Sequence, residues 1–479
     1  MSEATELRKS ERGNPIWSSS LEKIILSFVL LCSLSLSIWT IDSGHAWGGD
    51  FALYIEQAIA LNNGTVHELY EVNKYSMDNS PSGFGPYLYP MGYPMLLAPL
   101  INIMGYDLEA MKYLSSLLLI MGLFFLWRLI RSKFLHPLPS LLIVGVVGLN
   151  YNYTLFCDNA LSDIPFFGFV MLTLYVIEKA KGSMAMIALG SLLFFTYFIR
   201  DIGLFLLPAL AAWQWMQNKR SGKKPDWLNL SIPYLIFISF FFFAKALLPP
   251  GTENHLNELF GNEANKLIDN TSYYTGMIDK FFLLKEYDVE SAGVKLLRIL
   301  FVLFMAIGMI KKGKESLHYL VFSLLSITLY LLWPYNQGIR FLFPVIPFLI
   351  LFTFQGLTTL TNRVNVKNLN LYIIGILCVI TVYRSVRFSY FQAPKTRDMV
   401  ERKEITEAFL FINENISEDA VIGFHKPRVL RLYTGRNGVY HPFIKMSKVN
   451  ADYLLVLKSP ERFPLEVIFE NEAFLLYRQ

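Results

Sequence analysis

A few charged side chains in this sequence stand where apolar runs end, and their types suit proton transfer and phosphate binding. Asp50 lies in Trp47–Gly48–Gly49–Asp50–Phe51–Ala52–Leu53–Tyr54–Ile55, soon after a long apolar run. In a helix opening there, Phe51, Ile55, Ala58 and Ile59 share the apolar face, while Asp50, Tyr54, Gln57 and Leu61 turn toward another. Two readings fit Asp50, and they are compatible. It caps the helix, as Asp does well, or it is a carboxylate held as a general base. Asp158 and Asp163 close a second short polar segment, and Asp163 before Ile164–Pro165 also suits a helix start. Arg200–Asp201 and Arg340 mark further ends of apolar runs. Arginine grips phosphate through paired, charge-assisted hydrogen bonds. The plainer alternatives are pairing of Arg200 with Asp201 and snorkelling of either arginine to water.

Other chemistry finds little footing. The seven histidines are scattered without zinc-site spacing, and His45, though near Asp50, is alone. The three cysteines, Cys32, Cys157 and Cys378, suggest neither a metal site nor a disulfide framework. No P-loop, dinucleotide fingerprint or internal repeat is present. The triplet Asn270–Thr271–Ser272 matches a glycosylation acceptor, which chance explains.

The elements that must position these groups are membrane helices. Of the 479 residues, 53% are hydrophobic and 15% aromatic. Only 17% are charged, against about a quarter in soluble domains. A soluble fold could not hide that much apolar surface, whereas lipid removes the need. The net charge of +5 is spread over short segments between apolar runs, as in a membrane protein rather than a nucleic-acid binder, so no nucleic-acid partner is expected. The runs are Lys23–Ile41, Leu108–Leu129, Pro139–Phe156, Ile164–Glu178, Met184–Ile199, Ile202–Gln217, Leu228–Leu248, Val294–Ile310, Leu317–Trp333, Phe341–Leu360 and Leu369–Tyr390. They amount to about eleven spans, at roughly 20 residues each. No small-residue cleavage site follows the first run, so it is expected to be retained.

Basic residues set the orientation. The N-terminal tail carries Arg8, Lys9, Arg12 and Lys23. With that tail inside, every inner segment is basic: Arg128/Arg131/Lys133, Lys179/Lys181, Lys219/Arg220/Lys223/Lys224, Lys311/Lys312/Lys314 and Arg363/Lys367. The outer segments lack such clusters. The scheme needs Tyr87–Tyr106, with Pro90, Pro94 and Pro99, to lie on the surface or re-enter rather than cross. Residues 1–390 are then a transmembrane domain with outer loops at 42–107 and 249–292, and residues 391–479 form an extracytoplasmic α/β domain. In the latter, Glu401–Asn415 is an amphipathic helix with Ile405, Ala408, Phe409 and Ile412 on one face. Strands are expected at Ala420–Phe424, Tyr453–Leu457, Leu465–Phe469 and Phe474–Tyr477, the last two joined by the turn Glu470–Asn471–Glu472.

In this order, the motifs resemble the membrane glycosyltransferases of the GT-C fold, in the branch with protein O-mannosyltransferases and lipid A aminoarabinose transferases. Asp50–Phe51–Ala52–Leu53–Tyr54, followed by Ala58 and Asn62–Asn63–Gly64, looks like that branch's first-loop pattern. The family often has two acids in a row; here the second is Phe51, so Asp50 alone carries over as catalytic base. Tyr89–Pro90–Met91–Gly92–Tyr93–Pro94 resembles the Pro-rich juxtamembrane helix, with Tyr89 where aminoarabinose transferases place a phosphate-contacting Lys. Ser162–Asp163–Ile164–Pro165 resembles the second acidic loop, with Asp158 nearby. Arg200–Asp201–Ile202–Gly203 and Arg340–Phe341–Leu342–Phe343–Pro344–Val345–Ile346–Pro347 resemble motifs whose cations meet the lipid phosphate.

The resemblance implies an inverting transfer from a polyprenyl-phosphate sugar donor to a glycan, lipid or protein hydroxyl. The site would face outward from a bacterial inner or cell membrane. Asp50 and Asp163 would be catalytic, with Tyr54, Tyr89, Asp158, Arg200 and Arg340 binding substrate. No metal site or cofactor is expected, although Asp50 and Asp163 leave a divalent ion conceivable. The rival reading is a transporter or flippase of a lipid-linked substrate. The spans hold few buried charges and show no matching pair of broken halves, which speaks against it.

Overall fold

A computed structural model describes residues 19–46, 48–134, 136–222, 224–249, 264–283, 292–361, 368–391, 400–442, 450–459 and 462–479. Trp47, the basic residues Arg8, Lys9, Arg12, Lys223, Arg363 and Lys367, and much of the 249–292 segment lie outside the described residues.

All eleven apolar runs are helical along most of their length. The helices are α1 (Ser19–Trp39), α2 (Gly49–Asn63), α3 (Val66–Asp78), α4 (Gly92–Met104), α5 (Leu108–Arg131), α6 (Leu138–Gly148), α7 (Tyr151–Phe156), α8 (Asp163–Lys179), α9 (Ser183–Ile199), α10 (Leu206–Ser221), α11 (Trp227–Leu247), α12 (Ala264–Leu283), α13 (Ala292–Lys312), α14 (Leu317–Leu332), α15 (Ile346–Thr361) and α16 (Leu369–Phe391). By length and composition, 5 helical stretches among the described residues can cross a membrane: Ser20–Trp39, Leu108–Arg131, Trp227–Leu247, Ala292–Leu332 and Leu369–Tyr390. Several others are apolar but shorter. The 13 residues of α4 reach only about 20 Å, at 1.5 Å per residue, short of a hydrocarbon core about 30 Å thick.

Glycines let the helices approach closely, as packing in lipid favours. A Cβ on Gly308 of α13 would lie 1.8 Å from the Phe352 carbonyl oxygen of α15. One on Gly356 would lie 1.8 Å from that of Phe304. Gly168 against Leu118 joins α8 to α5, and Gly190 against Pro233 joins α9 to α11, each at 2.7 Å from a carbonyl oxygen.

Ion pairs gather the expected inner ends. Arg131 at the close of α5 meets Glu22 at the start of α1 at 2.7 Å. Lys133 meets Glu178 near the end of α8 at 3.0 Å, and His318 near the start of α14 reaches the same carboxylate. The polar residues of interest occupy the opposite ends of these helices.

The C-terminal unit comprises α17 (Lys403–Asn415), β1 (Val421–Phe424), α18 (Pro427–Thr434), β2 (Asn437–Tyr440), β3 (Tyr453–Leu457), β4 (Glu466–Glu470) and β5 (Phe474–Arg478). Its sheet is ordered β2-β1-β3-β5-β4. β1 is parallel to β2 and β3, whereas β5 is antiparallel to β3 and β4. The expected helix, the four expected strands and the β4–β5 pairing are all present. α18 and β2 were not anticipated. Ile405, Ala408, Phe409 and Ile412 of α17 are buried as the periodicity predicts. One apolar core runs from the bundle into this unit.

Candidate active site

Two acids and two arginines converge from the ends of separate helices. Gly48 occupies the cap position of α2, so the Asp50 carboxylate in the first turn is directed elsewhere. Its Oδ1 accepts a hydrogen bond from the Tyr89 hydroxyl at 2.8 Å, and its Oδ2 lies 3.7 Å from Arg340 Nη1. Asp163 is the first residue of α8. It accepts from Arg200, which ends α9, and its Oδ2 is 3.9 Å from the same Arg340 nitrogen. Arg340 therefore stands between the two carboxylates. It follows Gly338, whose φ of 73° is left-handed and favours glycine. Gln337 accepts from its other terminal nitrogen, and the Gly338 amide donates to the Tyr273 hydroxyl at 3.1 Å. Both guanidinium groups stack over the Phe341 ring, at 4.9 Å for Arg200 and 5.7 Å for Arg340.

Exposure separates the acids. The Asp50 side chain is 37% exposed and that of Asp163 only 3%. Asp50 can meet an incoming hydroxyl; Asp163 is placed to hold the arginines.

Three tyrosines wall the site. Tyr54 stacks on Tyr89 at 4.7 Å and meets Tyr93 edge-on at 5.1 Å. The Tyr54 hydroxyl bonds Ser162, next to Asp163, at 2.9 Å. Tyr89 is pinned through its backbone by the Gln57 amide, which accepts from its N–H at 2.9 Å and donates to its carbonyl at 2.8 Å. Burial, and then the charge of Asp50, push the Tyr89 hydroxyl well above its ordinary value. The shift favours the protonated hydroxyl that donates to Asp50.

Asp158 contacts another cation. Lys112, wholly buried on α5, meets the Asp158 carboxylate at 2.8 Å and that of Asp42 at 3.1 Å. It also donates to the carbonyl oxygens of Asp42, at 2.7 Å, and Gly44. His45 stacks on Phe51 at 4.0 Å, and its Nε2 accepts from the Ala160 amide at 3.2 Å. Together Lys112 and His45 tie the segment before Asp50 to the segment before Asp163. A lysine inside an apolar run was the sequence signal for this latch.

The C-terminal unit also reaches the site. Arg431 of α18 clasps Glu56 of α2, with Nε to Oε1 at 2.7 Å and Nη2 to Oε2 at 2.5 Å, and Asn73 of α3 at 2.7 Å. Arg428 donates to the Pro86 carbonyl and lies over the Phe84 and Tyr89 rings at 5.2 and 5.8 Å. Lys426 is close enough to feel the Asp50 charge, which opposes the lowering of its ammonium by burial. None of these three was legible as a site residue. Asn270 is buried and donates to the Leu331 and Trp333 carbonyls, both at 2.9 Å. Its amide is committed to closing α14.

Among the described residues no group of three or more His, Cys, Asp or Glu side chains gathers for a metal. No family model matches the sequence, and no curated protein matches it. Solved structures do. ArnT from Cupriavidus metallidurans bound to undecaprenyl phosphate aligns with a TM-score of 0.57 at 10% identity, over 96% of this chain and 98% of that one. The same protein in its apo state gives 0.54 at 10% identity, over the same shares. The Archaeoglobus fulgidus oligosaccharyltransferase in complex with Zn and sulfate gives 0.57 at 11% identity, over 90% of this chain and 68% of that one. With its apolar helices and small C-terminal sheet unit, the chain has the GT-C fold of membrane glycosyltransferases.

Proposed function

We propose that this protein is an inverting glycosyltransferase that moves a sugar from a polyprenyl-phosphate donor to an acceptor hydroxyl outside the cytoplasm. The observation that carries the reading is the accessible Asp50 carboxylate beside an arginine shared with a second, buried carboxylate. A base and a phosphate ligand in such proximity suit one displacement. The acceptor oxygen forms a bond to the anomeric carbon from the face opposite the phosphate. Its proton passes to Asp50. The bond from the anomeric carbon to the phosphate oxygen breaks, and the electron pair leaves on polyprenyl phosphate. Arg340 and Arg200 meet that growing charge, so we assign the neutralisation to them without a metal. Asp163 orients both arginines, Tyr89 lines the approach, and the buried Tyr54 backs it. The undecaprenyl phosphate bound by the structurally similar ArnT supports a lipid-phosphate donor. The acceptor is a glycan, lipid or protein hydroxyl.

The test uses the purified protein in lipid nanodiscs with a panel of polyprenyl-phosphate sugars. Polyprenyl phosphate should be released, with the anomeric configuration of the product inverted. Lipid translocation without sugar release would replace the reading with the transporter alternative.

A further inference from the structure

We propose that Arg428 is a positioning residue: from the C-terminal unit it fixes the turn at residues 84–89, and with it the Tyr89 hydroxyl that orients Asp50. The inference rests on Asp50 being the base of the proposed transfer, and it assigns the C-terminal unit a part in catalysis.

The geometry is specific. Arg428 is 2% exposed. One nitrogen donates to the Pro86 carbonyl. Nε and Nη1 have no hydrogen-bond partner among the described residues. A buried cation so poorly satisfied is a weak stabiliser, and an apolar chain of similar volume would pack there at less expense. What the guanidinium does secure is contact. It covers the Phe84 and Tyr89 rings, and a Cβ on Gly85 would lie 3.1 Å from Nη1, so the turn closes tightly around it. Gly85 has a φ of 118°, which makes that approach a glycine conformation. From this turn the Tyr89 hydroxyl reaches Asp50 at 2.8 Å. Arg431, one helical turn further along α18, anchors the unit independently on Glu56. The two arginines thus divide the work, one docking the unit and the other setting the turn.

The experiment combines a double-mutant cycle with hydrogen exchange on the full-length protein in nanodiscs. Arg428→Met keeps volume and removes the cation. Its kcat should fall about 10- to 100-fold with KM little changed, the size expected for slight misplacement of a base. Tyr89→Phe should lose a comparable amount. The double variant should be no worse than the worse single one, because both act on one path. Without the Arg428 bond at Pro86 the turn should open more often, and exchange of the Tyr89 amide, which donates to Gln57, should speed about tenfold or more while α18 stays protected. Losses that multiply in the double variant, or wild-type kcat and exchange in Arg428→Met, overturn the proposal. Should Arg428→Met fail to fold, Arg428→Lys carries the same test with a smaller loss expected, and wild-type kcat and exchange in it are equally fatal. If the wild-type protein turns over no donor, exchange decides alone. Faster exchange at Tyr89 then upholds the positioning role while the transferase reading falls.

Discussion

Replacing Arg340 tests the centre of the site. Its Nη1 lies 3.7 Å from Asp50 and 3.9 Å from Asp163. Each contact amounts to about 4 kcal/mol at an effective dielectric near 20. The Arg340 side chain is 22% exposed and that of Asp50 37%, so solvent screening brings the pair together to about 1–3 kcal/mol. Arg340→Ala leaves Asp50 and Asp163 without their shared cation, and leaves the phosphate to Arg200. Removing one preorganised donor to a developing charge costs about 10²- to 10³-fold in kcat, and that is the loss expected. Arg340→Lys keeps the charge but gives up the planar fork and the bond to Gln337. We expect it to fall between the wild type and Ala, at about a tenfold loss. The assay follows release of polyprenyl phosphate in nanodiscs, with binding of undecaprenyl phosphate as a second readout. Near-native turnover and binding in both variants would refute the reasoning and leave Arg340 as an anchor to the interface.

Further predictions concern the base, the latch, the helix pairing and the topology. Asp50→Asn should lower turnover about 10²- to 10⁴-fold, the range of a lost general base, with the melting temperature unchanged; normal turnover would reduce Asp50 to an N-terminal charge on α2. Lys112→Met leaves Asp158 buried beside an apolar chain, and loss of one partner of a buried pair costs about 3–5 kcal/mol; thermal unfolding should show this, and an unaltered midpoint would void the latch. Gly308→Val places side-chain atoms against the Phe352 carbonyl, and overpacking of about 1–3 kcal/mol should loosen α13 from α15; a variant as heat-stable as the wild type would deny that contact. A cysteine at Asn79 should react with an impermeant maleimide in intact cells. Labelling only after permeabilisation would invert the orientation.

Much of this was legible from the chain because lipid imposes a simple rule. Spanning helices need about 20 apolar residues, so polar groups at the ends of apolar runs stand out: Asp163, Arg200 and Arg340 lie there, and Asp50 opens the 15-residue α2 that follows the first run. Their pairing was not legible. The acid next to Arg200 in sequence is Asp201, but Arg200 also meets the Asp163 carboxylate, 37 residues earlier. Lys112 hid inside an apolar run, and Asp158, read as a substrate ligand, meets it at 2.8 Å. In the C-terminal unit, α18 has 8 residues, too few for a convincing period. β2 contains Asn437–Gly438, a pair typical of turns. Gly438 is there because a Cβ would come within 2.9 Å of Pro427, a tertiary constraint that no local pattern carries.

The clasp between Arg431 and Glu56 joins residues 375 apart. That separation has a consequence for biosynthesis. At about 5–20 residues per second, the first loop emerges roughly 20–75 s before the segment that closes over it. During that interval the loop carries its carboxylates but lacks the turn-setting contacts of α18. A chain interrupted late in synthesis would insert in the membrane yet leave its first loop unclasped, and so be silent. On the proposed reading, arrival of α18 and its two arginines is what licenses the protein to act.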